Sequence, residues 1–307
     1  MAVVHRGTLI GTLIASGPLH SPHRDSEPVI DNGYNDPLGW VESQRHLESP
    51  LEDPSMSDKS AIEWTDATWN PTTGCSKVSP GCANCYAEQI SLRFGRSTKP
   101  WTPANAKENV QIHPARFEMP LKWREPKRIF VDSMSDLFHE LVPDHVIASV
   151  WETMARAPRH QFQILTKRPE RMPEIVARRV EEQGVLPNVW LGTSIENDRW
   201  VVRADHLRAT PAAVRFISAE PLLAALPSLD LADIDWLIVG GESGSDHRPM
   251  REEWVADLRD RCQAADVAFF FKQWGGRTPK AGGRTLDGRT WDEFPDAAAK
   301  SSAVAVG

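Results

Sequence analysis

Residues 162–196 read FQILTKRPERMPEIVARRVEEQGVLPNVWLGTSIE and contain two short apolar runs separated by a helical stretch. The first run, residues 162–165, ends abruptly at polar and basic side chains, and the second, residues 189–191, ends at a glycine followed by polar residues. We expect residues 169–182 to form the helix between them. A strand, a helix and a second strand at this spacing indicate parallel strands joined by a right-handed crossover.

The same pattern recurs along the body of the chain. Between the strands, helices are expected at residues 145–157, 169–182, 198–208 and 252–265, and residues 62–70 could form an additional first strand. Short, mostly apolar strands fit a sheet that is buried on both faces. The sequence therefore predicts an α/β protein with a partial or complete parallel β/α barrel of six or seven strands. The six strand candidates are residues 129–131, 162–165, 189–191, 214–217, 236–239 and 268–271.

Polar and charged residues follow each predicted strand. The carboxyl ends of the strands form the active-site mouth of a β/α barrel, and they form the ligand-binding edge of an open doubly wound sheet. Either topology places these side chains around one cavity, although each taken alone could equally be a solvated loop residue or a helix cap. The residues are Asp132, Asp136, Lys167, Glu196, Glu220, Glu242 and Lys272.

Three of the four cysteines lie in the stretch GCSKVSPGCANCY, residues 74–86, with the spacing Cys-x6-Cys-x2-Cys. A disulfide framework usually has an even, spread set. Zinc usually takes four ligands, and His113 and His139 are the nearest candidates for a fourth. An iron–sulfur cluster on Cys75, Cys82 and Cys85 would keep one iron without a protein ligand, open for chemistry. We expect the remaining cysteine, Cys262, to be a packed core thiol.

The three-cysteine loop after a first strand resembles that of the radical S-adenosylmethionine superfamily. That resemblance implies a [4Fe–4S] cluster on the three cysteines. It further implies that S-adenosylmethionine binds the open iron and is cleaved by an electron from the cluster. Three features depart from the superfamily pattern. The usual spacing is three and then two residues, and the residue before the third cysteine, here Asn84, is usually aromatic. The Gly-Gly-Glu sequence, here residues 240–242, usually follows the second strand.

Residues 56–275 more closely resemble a family of uncharacterised, often phage-encoded proteins known by this three-cysteine motif. The resemblance implies the radical S-adenosylmethionine-like fold but no substrate. It rests on the following stretches: IEWTDATWNP (62–71), GCSKVSPGCANCY (74–86), FVDSMSDLF (130–138), LTKRP (165–169), WLGTSIE (190–196), SAEP (218–221), VGGESG (239–244) and FKQWG (271–275).

These patterns give a hypothesis for each site residue. Cys75, Cys82 and Cys85 bind the metal, and Lys272 and Asp132 are the candidate catalytic residues. The candidate cofactor-binding residues are Ser194, Glu196, Glu220 and Glu242. The candidate substrate-binding residues are Asp136, Lys167 and Arg168.

The favoured function is a radical S-adenosylmethionine-type iron–sulfur enzyme acting on an unknown substrate. A nucleic acid or nucleotide is suggested by the phage-like resemblance, by the basic loop at residues 166–171 and by the twelve tryptophans. An electron donor such as flavodoxin or ferredoxin would be a partner, and a further protein partner is open. The alternative is a zinc-binding nucleic-acid-binding or adaptor protein without radical chemistry.

The chain divides into three predicted regions. Residues 1–57 carry eight acidic and three basic side chains and show no sustained hydrophobic periodicity. We therefore expect this N-terminal extension to be disordered or to result from a misannotated start. Residues 58–276 are the predicted barrel domain, and residues 277–307 a polar C-terminal tail. No stretch of about 20 apolar residues is present, so no membrane segment is expected. An exported protein would not readily keep a labile cluster, so a cytoplasmic location is expected.

Overall fold

A computed structural model describes residues 59–296 of the chain. The predicted extension at residues 1–57 and the end of the predicted tail lie outside the described residues. In chain order, the elements are β1 (Ala67–Trp69), β2 (Thr72–Thr73), α1 (Tyr86–Arg93), α2 (Ala106–Asn109), β3 (Gln111–Ile112), α3 (Met119–Lys122), β4 (Arg128–Val131), α4 (Asp144–Arg156), β5 (Gln161–Thr166), α5 (Met172–Gln183), β6 (Val189–Ser194), α6 (Arg203–Arg208), β7 (Val214–Ala219), β8 (Trp236–Gly240), α7 (Glu252–Ala264) and β9 (Ala268–Gln273).

The main sheet has seven strands in the order β1-β4-β5-β6-β7-β8-β9, which is their order along the chain. Every neighbouring pair is parallel. Sequential parallel pairing is the arrangement of a β/α barrel. Within the described residues, β1 and β9 are the two edges of the sheet, so the barrel is partial. The predicted α/β fold, a partial or complete parallel barrel of six or seven strands, is confirmed, and the structure has the partial form with seven strands.

The crossover helices begin and end close to their predicted positions. Helix α4 buries Val146, Ile147, Val150, Trp151 and Met154, the spacing of one helical face. Helix α5 ends at Gly184, whose φ of 74° is readily reached only by a residue without a Cβ. The connection predicted as one helix at 198–208 is instead a 3-10 turn at Asp198–Trp200 followed by the short α6.

Two apolar layers flank the sheet because side chains alternate along each strand. On β6, Leu191 packs in the outer layer against the helices, whereas Trp190 packs in the barrel interior. Gly192 also faces inward, and a Cβ there would lie 2.5 Å from the ring of Phe216. Each large side chain fully buried in such a layer stabilises the fold by about 1.5–3 kcal/mol. The interior layer consists of Trp64, Phe130, Trp190, Val214, Phe216, Trp236, Ile238 and Phe270.

Residues 277–296 return to the sheet. The N–H of Phe271 donates to the carbonyl of Trp291 at 2.9 Å, which attaches this segment to β9. The ring of Phe294 lies 4.9 Å from that of Trp236, the first residue of β8. The interior is therefore filled with aromatic side chains towards the amino ends of the strands. None of the described helices is long and apolar enough to cross a membrane.

Candidate active site

The three candidate metal-binding cysteines lie on one loop that joins β2 to α1, above the carboxyl ends of the strands. The loop begins at Gly74, whose N–H donates to the carbonyl of Met134 at 2.9 Å. Gly74 has φ of 80°, and a Cβ at this position would lie 1.8 Å from the carbonyl oxygen of Asn109. Only glycine fits this close approach, so the first turn of the loop depends on it.

The three thiols lie within electrostatic range of one another, and burial dominates their pKa values. Burial raises the pKa of Cys75 to about 12, with a contribution from Asp136, while the guanidinium of Arg168 opposes the rise. Cys82 and Cys85 raise the same pKa further because thiolates at close range repel. Burial also raises the pKa of Cys85, opposed by the first backbone amides of α1 and by Lys167. A bound metal would have to displace these protons.

Arg168 is the principal support of Cys75. One Nη1 hydrogen donates to the Cys75 sulfur at 3.5 Å and the other to Asp136 at 3.3 Å. Nη2 donates to both the carbonyl and the hydroxyl oxygen of Ser76, and Nε donates to Glu140. All five N–H donors of this buried guanidinium are thus used within the protein. Arg168 holds the cysteine loop and has no donor left for a substrate.

Asp136 joins the loops that follow β4 and β5. One of its carboxylate oxygens accepts hydrogen bonds from the Thr166 hydroxyl at 2.6 Å and from the N–H of Phe138. The other accepts from the N–H of Lys167 and from Arg168. The carboxylate is buried and fully bonded, so it orients Arg168.

Asp132 follows β4 directly and adopts φ of 58°. Its two carboxylate oxygens accept hydrogen bonds from the N–H and the hydroxyl of Thr72, at 3.0 and 2.9 Å. Burial raises the pKa of Asp132 to about 8, with a further contribution from Asp136, although the Thr72 hydrogen bonds oppose the rise. Asp132 thus anchors the chain between β1 and the cysteine loop, and its catalytic role stays a prediction.

Glu196, after β6, contacts the middle of the cysteine loop. One carboxylate oxygen accepts the N–H of Gly81 at 3.1 Å, and the other accepts from Arg203 at 2.9 Å. The two charged side chains are 0% and 4% exposed, so the ion pair is completely buried. Arg203 also donates to the carbonyl of Ser194 and lies 4.2 Å above the ring of Trp200.

Glu242, after β8, contacts the end of the same loop. Its carboxylate accepts hydrogen bonds from the Asn84 amide at 3.0 Å and from the guanidinium of Arg248. Arg248 also donates to the carbonyl of Pro80 at 3.0 Å. These hydrogen bonds hold the pKa of Glu242 below its usual value although burial opposes them. Like Glu196, this predicted cofactor ligand is used to hold the loop.

Glu220 and Lys272, two of the predicted site residues, pair with each other. Within the described residues, neither forms a hydrogen bond to the cysteine loop. The Lys272 ammonium lies 3.0 Å from the Glu220 carboxylate, which also accepts from the Ser218 hydroxyl at 3.1 Å. A Cβ on Gly240 would lie 2.4 Å from Glu220, so glycine leaves the space that this carboxylate occupies. Both charged side chains are partly exposed and available to a ligand.

Three polar groups near the mouth have no partner within residues 59–296. The buried Ser194 hydroxyl and the Nη2 of the buried Arg203 make no hydrogen bond. The Lys167 ammonium makes no ion pair, and its side chain passes close to Gly81. Such groups are the donors that a ligand could satisfy.

The two histidines considered as zinc ligands already have partners. His139 is fully buried beside the Ser76 hydroxyl at 2.9 Å, and burial lowers its pKa to about 4. His113 lies 2.8 Å from the Thr73 hydroxyl. Cys262 is buried on α7 in the outer apolar layer, away from the other cysteines. Among residues 59–296, no three His, Cys, Asp or Glu side chains converge closely enough to hold a single metal ion.

Sequence reasoning missed three residues of this site. Asn84, Arg203 and Arg248 each bond directly to a predicted glutamate, but their surroundings in the sequence look like ordinary loops and a helix. Arg203 comes seven residues after Glu196, and nothing in that spacing indicates a buried pair. Of the three, only Asn84 could have been suspected from the sequence, because it lies inside the cysteine motif itself.

The comparisons with solved structures give three mutants of spore photoproduct lyase. One, with bound AdoMet and dinucleoside spore photoproduct, is 16% identical, with 57% of this chain and 56% of that chain covered and a TM-score of 0.37. A second is 15% identical, with 65% and 60% covered and a TM-score of 0.37. The chain thus spans less than two thirds of the length of these structures.

Among curated proteins, none matches the chain. A family match, in contrast, extends over nearly all of the described residues. Residues 59–295 match the family described as "Protein of unknown function (DUF5131)", and the chain belongs to that family.

Proposed function

We propose that the protein is a radical S-adenosylmethionine-type enzyme in which Cys75, Cys82 and Cys85 hold a [4Fe–4S] cluster. The observation that carries the proposal is the way the cysteine loop is fixed. Charged residues after β4, β5, β6 and β8 all bond to the loop or to its supports, at the edge of a parallel β/α sheet where active sites occur.

The residues present fit such a cluster by their donor chemistry. The three thiols lie on one loop and would each bind a different iron, so they need not converge on a single ion, and Arg168 donates a hydrogen bond to the sulfur of Cys75. Hydrogen bonds to cluster sulfurs tune the reduction potential. Three cysteines leave one iron open to a small molecule. When bound, the cluster supplies the electron that cleaves the sulfonium of S-adenosylmethionine and so starts radical chemistry.

The four candidate cofactor-binding residues differ in whether their polar groups are already used within the protein. Glu196 and Glu242 are occupied in holding the loop, so we assign them to positioning the cysteines. Ser194, with its unpartnered hydroxyl, and Glu220, with its partly exposed carboxylate, are the proposed contacts to S-adenosylmethionine. A carboxylate at Glu220 would bind the amino group of the cofactor. Lys272 holds this carboxylate in place and faces the same space.

A nucleic acid or nucleotide is the proposed substrate class. Lys167 has an ammonium group without an ion pair in the described residues and is thus the cation best placed to bind a phosphate. Arg168 and Asp136, in contrast, are used within the protein. A Lys167→Gln variant should lose affinity for a single-stranded oligonucleotide at low salt. Equal affinity of the variant and the wild type would contradict this role.

The cluster is tested by anaerobic purification of the full chain with iron, sulfide and zinc analysis and an absorption spectrum. We expect about four irons per chain and a broad brown absorbance that is lost on replacing Cys75, Cys82 or Cys85 by Ala. Cys262→Ala is the matched control and should keep its iron. Reduction in the presence of S-adenosylmethionine should release 5′-deoxyadenosine. A colourless wild type with a single zinc ion would overturn the proposal and favour a binding or adaptor role.

A further inference from the structure

Ser76 follows the first candidate metal ligand, Cys75, and its side chain is buried within the cysteine loop. Its hydroxyl oxygen lies 2.9 Å from Nε2 of His139 and 2.9 Å from Nη2 of Arg168. A hydroxyl both donates and accepts hydrogen bonds. What this hydroxyl donates to depends on which nitrogen of the histidine carries the hydrogen.

The hydrogen bonds of His139 determine its tautomer. The N–H of Leu141 donates to Nδ1 at 3.1 Å, so Nδ1 is the acceptor nitrogen. The Glu140 carboxylate bonds to Arg168 instead and stays 3.5 Å from Nδ1. Burial lowers the pKa of His139 to about 4, so the ring is neutral near neutral pH. A neutral imidazole has one donor nitrogen, so Nε2 carries the hydrogen and donates it to Ser76.

The hydroxyl oxygen of Ser76 therefore accepts two hydrogen bonds, one from His139 and one from Arg168. A serine hydroxyl has two acceptor lone pairs and one hydrogen, so its hydrogen must be donated in a third direction. Among residues 59–296, the hydroxyl has no other hydrogen-bond partner, although the residue is only 3% exposed. A buried donor without an acceptor is costly, and such a group is where a ligand would bind.

Arg168 holds this hydroxyl next to the ligand position of Cys75. Its Nη1 donates to the Cys75 sulfur at 3.5 Å, and the neighbouring Nη2 donates to Ser76 at 2.9 Å. The guanidinium is planar and rigid, so the sulfur and the hydroxyl are fixed relative to each other. A group bound to the Cys75 sulfur would thus lie near the free hydroxyl hydrogen.

We propose that the Ser76 hydroxyl donates a hydrogen bond to a sulfur of the cluster held by Cys75, and that His139 is the positioning residue that orients it. The inference rests on the proposed function, since it assumes that the cysteines hold a [4Fe–4S] cluster. Hydrogen bonds to cluster sulfurs set the reduction potential. A donor stabilises the more negative, reduced state, so Ser76 raises the potential and makes reduction easier.

A nucleophilic serine is the other role that a serine beside a histidine suggests. Such a serine gives its hydrogen to the histidine, which acts as the general base. In this site the direction is reversed, because His139 donates to Ser76. The hydroxyl is also bonded to a guanidinium and is buried, so it is not presented to a substrate.

The midpoint potential is measured by anaerobic titration of the full chain with dithionite, which is oxidised as the cluster gains one electron. We expect Ser76→Ala to lower the equilibrium constant for this reduction by about tenfold, which is about 59 mV for one electron. Ser76→Thr keeps the hydroxyl and should restore the potential. Ser133→Ala is the matched control and should leave the potential unchanged, because its hydroxyl already donates to Asn70 at 3.2 Å.

His139→Phe is a second variant that leaves Ser76 in place. It removes the hydrogen bond that orients the hydroxyl, so the potential should again fall, and it keeps the proposal testable where Ser76→Ala does not hold iron. Pulsed electron paramagnetic resonance of the reduced cluster in D2O gives an independent readout. Ser76→Ala should lose an exchangeable deuterium coupling that Ser133→Ala keeps. Iron analysis and thermal melting verify that each variant is loaded and folded.

Two results would overturn the inference alone. One is a loaded Ser76→Ala variant with the potential and the deuterium coupling of the wild type. The other is an equal shift in Ser76→Ala and Ser133→Ala, which would show a general effect of altering the loops. A wild type that holds zinc, or no iron, would instead overturn the proposed function and this inference with it.

Discussion

The Glu196 carboxylate joins the N–H of Gly81, at 3.1 Å, to the guanidinium of Arg203, at 2.9 Å. The middle of the cysteine loop is therefore held by the buried ion pair of Glu196, which follows β6, and Arg203. A buried pair of this kind adds little net stability compared with apolar residues, but an unpaired member is costly. The pair thus makes the position of the loop depend on both residues.

Replacing Arg203 by Met should leave Glu196 buried and uncompensated. We expect the free energy of unfolding to fall by about 3–5 kcal/mol, measured by chemical denaturation of the full chain. The double variant Glu196→Met with Arg203→Met should be more stable than the single variant, because no charge is left unpaired.

Arg156→Met, at the end of α4, is the control. Arg156 pairs with the exposed Glu118 on the surface, so its loss should cost no more than about 1 kcal/mol. If the double variant were less stable than Arg203→Met, the assignment of the pair would be wrong.

The sequence predicts the sheet well because each strand is an apolar run with an abrupt polar end. Residues 162–165 and 189–191 lie within β5 and β6, and the predicted first strand at residues 62–70 contains β1. The predicted helix boundaries were wrong where the local sequence pattern was weak, as at α6. The turn at Asp198–Trp200 carries an Asn197 cap that the helical pattern did not reveal.

The sequence places the charged residues at the mouth but does not assign their partners. Glu196 and Glu220 look alike, since each ends a strand. In the structure, Glu196 is fully buried against Gly81 and Arg203, whereas Glu220 is partly exposed beside Lys272. The difference arises from the cysteine loop, which covers the end of β6. Contacts between residues more than a hundred positions apart leave no periodicity in the sequence.

Arg168 should control how readily Cys75 loses its proton. Its guanidinium opposes the burial that raises the pKa of Cys75 to about 12. Arg168→Gln removes this charge, so the thiolate forms only at higher pH and iron loading should shift to higher pH. The measurement is the absorbance of the reconstituted cluster between about pH 7 and 9. Arg178→Gln, on the exposed face of α5, is the control, and an unshifted profile in Arg168→Gln would contradict the role.

Asp132 should make the fold less stable as pH rises. Its pKa is 3.8 in an unstructured chain and about 8 in the folded protein, mainly because of burial. The folded state binds the proton more tightly, so stability is greatest below about pH 4 for this group and is lost as pH rises towards about 8. Asp132→Asn keeps a side chain that tolerates φ of 58° and carries no charge.

Compared with the wild type, Asp132→Asn should therefore gain relative stability between pH 5 and 8. Chemical denaturation at several pH values measures this difference, in steps of roughly one pH unit over that window. A difference that is constant with pH would show that Asp132 does not bind a proton on folding. The Ser135→Ala variant, which alters the same turn without a titrating group, is the control.

Gly240 should control the position of Glu220 without touching the cysteine loop. A Cβ at this position would lie 2.4 Å from the Glu220 carboxylate, so Gly240→Ala must displace it and break its 3.0 Å contact with Lys272. We expect the affinity for S-adenosylmethionine, measured by calorimetry, to fall by about tenfold, or about 1.4 kcal/mol. The iron content should be unchanged because Arg168, Glu196 and Glu242 keep their bonds to the loop.

The comparison with Glu220→Gln shows whether Gly240 acts through Glu220. Glutamine fills the same space but lacks the charge that would bind the cofactor's amino group, so its affinity should fall by a similar factor. The double variant should then be no worse than either single variant, because both changes remove one interaction. Additive losses would instead mean that the methyl group at residue 240 blocks the cofactor directly, with Glu220 playing a separate part.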